Sequence, residues 1–137
     1  MTENTPTVLL DVVTEMESAT FRAGQVARRL VAEHPQLTVR TATVALYASV
    51  YNDGERHCRP RLELRAENVD DAHSWAEALG AEPETSTKEV GGWVYESAHC
   101  TATVDGVQIE VSGSRTLTAD EAAAWRAAGD QGEDGDS

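Results

Sequence analysis

A chain of 137 residues is one domain's length, enough for a single core of two layers. Its apolar share of 40% is ordinary for a globular protein, and its aromatic share of 5% leaves the core to Val, Leu, Ile and Ala with three tryptophans as anchors. The net charge of −13 opposes nucleic acid and anionic membranes, and no apolar run approaches the roughly 20 residues that cross a bilayer, so no membrane partner is expected.

Thr5-Pro6 reads as a helix start, with Thr5 as N-cap and Pro6 at the first helical position. Leu9, Leu10, Val13 and Met16 follow as a stripe at helical spacing, with Val12 at its edge. Ser18-Ala19-Thr20 is expected to break that helix before a second segment over residues 21–33, with Ala23, Val26, Ala27, Leu30 and Val31 on one side, and Gly24 within it leaves the two segments to merge or to kink there. His34-Pro35 stops it, because a residue before proline is pushed out of the α region.

From Leu37 to Tyr51 the period changes to two, with Ala42, Val44, Leu46, Ala48 and Val50 inward and Thr41, Thr43, Tyr47, Ser49 and Tyr51 outward. A second strand, Arg59 to Ala66, turns Leu62, Leu64 and Ala66 inward and Arg59, Arg61, Glu63 and Arg65 outward. For both strands to bury their apolar residues, the turn at Asn52-Asp53-Gly54 must hold an odd number of residues or contain a bulge. Pro60 cannot donate to a ladder, which predicts an edge position or a bulge there.

Asn68 to Asp71 opens another helix, with Ala72, Trp75, Ala76 and Leu79 inward and Gly80 as its stop. Residues 81–86 read as a loop and 87–90 as a short strand. Trp93 to Gly113 reads as a β-hairpin closed by Asp105-Gly106, which sets Val104 opposite Val107, Ala102 opposite Ile109 and Cys100 opposite Val111. Thr118 and Glu121 form a capping box for a short helix ending near Ala128. Residues 1–128 thus read as a single α+β domain, an antiparallel sheet of four to five strands built from two hairpins with helices on one face. Residues 129–137 read as a disordered acidic tail.

The pattern His34-Pro35-x-Leu37, Trp75-Ala76-x-Ala78-Leu79-Gly80 and Gly106-Val107-x-Ile109-x-Val111-x-Gly113 resembles small α+β proteins encoded by actinobacterial genomes and their phages. The resemblance covers roughly residues 30–113, and its motifs are structural. It implies a small cytoplasmic accessory protein of a host or mobile element and transfers no catalytic residue.

Charge is unevenly spread. Residues 1–19 hold four acids and no base, residues 20–65 eight arginines against four acids, and residues 66–137 three bases against sixteen acids. Two His-Cys dipeptides, His57-Cys58 and His99-Cys100, offer soft ligands, but neighbours on a strand point to opposite faces, and no metal or other cofactor is expected. The same parity buries the thiols, which argues against a cysteine nucleophile, so no catalytic residue is assigned. Without an export signal the two thiols point to a reducing compartment, the cytoplasm. Reading residues 39–51 as the recognition helix of a helix-turn-helix conflicts with their period of two and their β-branched residues.

The candidate binding residues are therefore those of the outer sheet face: Tyr47, Tyr51, His57, Arg59, Arg61 and Arg65, with Trp93, Tyr95 and His99 as a continuation. The function expected is that of a non-enzymatic cytoplasmic binding or regulatory protein acting through a charge-polarised surface, of protein-partner or inhibitor type. A nucleic-acid-binding regulator using the Arg/Tyr hairpin is the second reading, and a small enzyme without a recognisable motif the third. Exposed strand edges permit a dimer, although no residue in the sequence specifies one.

Overall fold

The computed structural model describes the backbone of residues 4–136 and the side chains of residues 7–129. The elements run α1 (Asn4–Glu33), β1 (Thr41–Val50), β2 (Arg56–Arg65), α2 (Val69–Leu79), β3 (Glu84–Val90), β4 (Trp93–Val104), β5 (Val107–Thr116) and α3 (Ala119–Asp136). The fold is α+β, with a five-stranded sheet in the order β1-β2-β5-β4-β3.

The hairpin β4–β5 has the expected register, Val104 with Val107, Ala102 with Ile109 and Cys100 with Val111. Asp105 at φ 50° and Gly106 at φ 79° supply the two positive φ angles of a tight turn. Between β1 and β2 the loop holds residues 51–55, an odd number, so Val44 meets Leu62 and Ala42 meets Leu64 on one face.

The sheet is mixed rather than wholly antiparallel, because β2 and β5 pair in parallel from Arg61–Gln108 to Arg65–Ser112. No local turn signal announces this contact between the two halves of the chain. It also places β2 inside the sheet, against the expectation of an edge at Pro60. The ladder to β5 starts one residue later, at Arg61. Hydrogen-bonded and open pairs alternate along an antiparallel ladder. Counted from the Tyr51 N–H to Glu55 C=O bond, Leu46–Pro60 is an open pair, so the missing N–H removes no bond to β1 either.

α1 is one helix of 30 residues, uninterrupted at Ser18-Ala19-Thr20. Thr20 Oγ1 donates to Met16 C=O at 2.8 Å, so the hydroxyl bonds within the helix instead of breaking it, and Ala19 is fully buried. The helix begins at Asn4, and the Thr5 side chain read as its cap lies outside the described side chains. Its inward face is Ala19, Ala23, Val26 and Leu30, whereas Leu9, Leu10, Val13, Met16 and Val31 are exposed. An apolar stripe at helical spacing identifies a helix, but the position of the sheet decides which stripe is covered.

α2 is capped by Asn68, whose side chain accepts from Asp71 N–H at 2.9 Å, and ends at Gly80 in the left-handed region (φ 67°). Trp75 Nε1 donates to Thr38 C=O at 3.0 Å, tying α2 to the strand entry. β3 starts at Glu84, inside the segment expected to be a loop, because a charged edge strand lacks apolar alternation. The α3 backbone runs past Ala128 to Asp136, and the side chains from Asp130 onward lie outside those described. No helix among the described residues is long and apolar enough to cross a membrane.

The core lies between the sheet and α1 and α2. Val107, Ile109 and Val111 of the central strand β5 are fully buried there with Leu62, Leu64, Val26, Leu30 and Trp75.

Candidate functional site

α1 and α2 pack on one side of the sheet, and α3 is joined to that side through Glu121 to Arg115 and Arg126 to Glu89. On the other side, the odd positions of β1, β2 and β4 and the even positions of β3 and β5 meet no helix among the described residues. Cross-strand registers arrange that face in rows. One row runs Thr41, Arg65, Ser112, His99 and Glu84; the next, Thr43, Glu63, Glu110 and Thr101; then Ala45, Arg61, Gln108 and Thr103; then Tyr47 and Arg59; last, Ser49 and His57.

Tyr47, Tyr51, His57, Arg59 and Arg61 come together at the β1–β2 end, around an open depression of about 520 Å³ that Ala45 and Gln108 also line. Tyr51 meets the His57 ring edge-on, with centroids 5.7 Å apart. His57 Nε2 lies 2.9 Å from Glu55 Oε1. Tyr47 stands directly across the ladder from Arg59.

The arginines differ in what holds them. Arg61 Nη2 is 2.8 Å from Glu63, and its Nε lies 3.0 Å from Glu110 Oε2, within ion-pair range although off the hydrogen-bond direction. That guanidinium is neutralised in place. Arg59 and Arg65 form no ion pair among the described residues and keep their forks available for a carboxylate or phosphate.

Arg65 and His99 share a second, smaller depression with Thr41, Thr43, Glu63, Glu110 and Ser112. Its nearest β1 residue, Thr43, is four residues from Tyr47, about 13 Å at the usual rise of a strand. Trp93 and Tyr95 lie farther still in the same direction, on the β3–β4 hairpin beside Val90 and Lys88, so they do not extend the Tyr47 cluster. Trp93 is 62% exposed. The expected single surface is therefore a compact cluster, a second pair and a separate corner. Gln108 and Glu110 were not legible as site residues because they reach Arg61 only through the parallel pairing.

The thiols occupy the covered side. Cys100 is buried beneath the helices, and burial pushes its pKa up. Cys58 is half-buried, donates weakly to Glu15 C=O at 3.6 Å, and is also raised, first by burial and then by the Glu15 charge. A thiol held protonated is a poor nucleophile and a poor ligand. His57 and His99 point to the other face, across the sheet from these sulfurs.

No protein-family model matches the chain, and no curated protein and no solved structure matches it.

Proposed function

We propose that this chain is a non-enzymatic, charge-polarised binding protein of the cytoplasm. Its bare sheet face around Tyr47, Tyr51, His57 and Arg59 receives an acidic segment of a protein partner. The observation that carries the reading is the grouping of two exposed tyrosines, an imidazole and an unpaired guanidinium in one open depression, on a molecule whose total charge is −13. Over most of the surface an acidic group is repelled. At this depression Arg59 can fork a carboxylate while Tyr47 and Tyr51 give flat contact at little entropic cost. The raised thiols remove the cysteines as nucleophiles, which supports binding over catalysis.

A nucleic-acid reading rests on the same two tyrosines, whose rings suit the stacking of unpaired bases. Among the described residues, Glu55, Glu63 and Glu110 beside them leave one free cation, Arg59, in the depression, enough for a single carboxylate but opposed to a continuous track of phosphates. Fluorescence anisotropy with a labelled peptide carrying one glutamate among neutral residues and a labelled single-stranded oligonucleotide separates the two. The peptide is expected to bind the wild type, to lose at least tenfold in affinity with Arg59→Glu, and to bind less with Tyr47→Ala. Preference for the oligonucleotide supports the second reading, and binding of neither probe rejects both.

A further inference from the structure

The two edges of the sheet differ. β3, Glu-Thr-Ser-Thr-Lys-Glu-Val, carries three charges in seven residues, the usual protection of an exposed edge. β1, Thr-Ala-Thr-Val-Ala-Leu-Tyr-Ala-Ser-Val, is ten residues long with no charge, proline or glycine. Since odd-numbered pairs bond β1 to β2, the N–H and C=O groups of Ala42, Val44, Leu46, Ala48 and Val50 point outward from this edge.

An independent feature lies beside it. Arg22 rests against Gly106, and Arg29 Nη1 bonds Asp105 at 2.9 Å, so one flank of α1 faces the β4–β5 turn. At 3.6 residues per turn, Leu9, Val13, Met16 and Val31 fall on the opposite flank, which the strand order directs towards β1 and beyond it. All four are exposed, and so is Val44 at 52%, although it lies on the covered side of the sheet. Helix flank and strand edge thus leave one strip of apolar surface on the same side of the molecule.

We propose that this edge binds a second copy of the same chain, β1 against β1 antiparallel about a twofold axis at Leu46. That register matches the outward bonding groups of both copies, since Leu46 meets Leu46, Val44 meets Ala48 and Ala42 meets Val50. On the outer face Ala45 meets Tyr47 and Thr43 meets Ser49. No like charges oppose each other, and Arg40 of each copy falls beside the acidic Asn52-Asp53 turn of the other, which offsets part of the repulsion between two −13 chains. The two α1 helices lie on one face of a joined ten-stranded sheet and cover each other's exposed flank. A ten-residue strand is about 34 Å long. A strip of that length reaches the roughly 800 Å² per partner of a standard interface at a width of about 24 Å, which calls for the helix flank together with the strand edge. The twofold closes the assembly, because the remaining edges are the charged β3 strands.

Sedimentation equilibrium of the full chain from about 1 to 100 µM tests this, a range that brackets a micromolar dimer. The wild type is expected to reach dimer mass. Val44→Pro deletes an outward N–H that the monomer does not use, and Val44→Lys sets a cation on the strip; each is expected to give monomer with an unchanged far-UV spectrum. Should Val44→Pro unfold, Val44→Lys decides. A wild type that stays monomeric to about 100 µM overturns the proposal, as does a dimer indifferent to Val44→Lys.

Discussion

Gly113 shows how one missing side chain positions an element. A Cβ at that position would run into the Asn68 carbonyl and press on Ala72, so α2 can seat its capped N-terminus on β5 only because residue 113 is glycine. Gly113→Ala is expected to destabilise the fold by about 1–3 kcal/mol, the usual cost of overpacking, as read by urea denaturation. The thiols test burial at the same scale. Cys100 should react with a disulfide reagent only after unfolding, and Cys58 more slowly in the native protein than a small thiol does, as followed by the release of coloured thiolate.

Among the elements, α3 is tied to the sheet by charged groups. Its capping box is formed, with Thr118 N–H donating to Glu121 and Glu121 N–H donating to Thr118 Oγ1. Arg115 on β5 bonds both oxygens of Glu121 and also Glu96, while Arg126 bonds Glu89 on β3. The Arg115 bond, with Thr118 adding to it, holds the Glu121 carboxyl down at about 2 against an ordinary 4.5. A depressed acid contributes its stabilisation in full above the ordinary value and loses it as pH falls through the folded one. The tie between α3 and β5 is therefore expected to weaken between about pH 4.5 and 2. Carbon-detected NMR of the Glu121 carboxyl should titrate near 2 in the wild type and return towards 4.5 in Arg115→Ala.

At the scale of the molecule, the sheet joins two locally assembled halves. The α1-β1-β2 unit and the α2-β3-β4-β5 unit meet along the parallel β2–β5 ladder, where Leu62 lies beside Ile109 and Leu64 beside Val111. Both sides of that seam are buried under the helices. Leu62→Ala is expected to cost about 2–5 kcal/mol, and the loss should fall on the whole fold rather than one half. Urea unfolding followed by tryptophan fluorescence and by far-UV circular dichroism should therefore give coincident transitions in wild type and variant.

What local sequence determined was each element that a short-range rule can specify. Two positive-φ residues at Asp105-Gly106 set the register of β4–β5, alternation assigned the faces of β1 and β2, and Asn68, Gly80, Thr118 and Glu121 marked helix ends. Side-chain parity likewise put Tyr47, Arg59 and Arg61 on one face. Only the tertiary structure decided which α1 stripe is covered, that β2 and β5 run in parallel, and that Arg61 is neutralised by Glu110 while Arg59 is not. It also separated Trp93 and Tyr95 from the tyrosine cluster. The reason is physical: periodicity reports which residues share a face, whereas contacts between distant segments depend on strand order, and no turn or cap between β2 and β5 encodes that order.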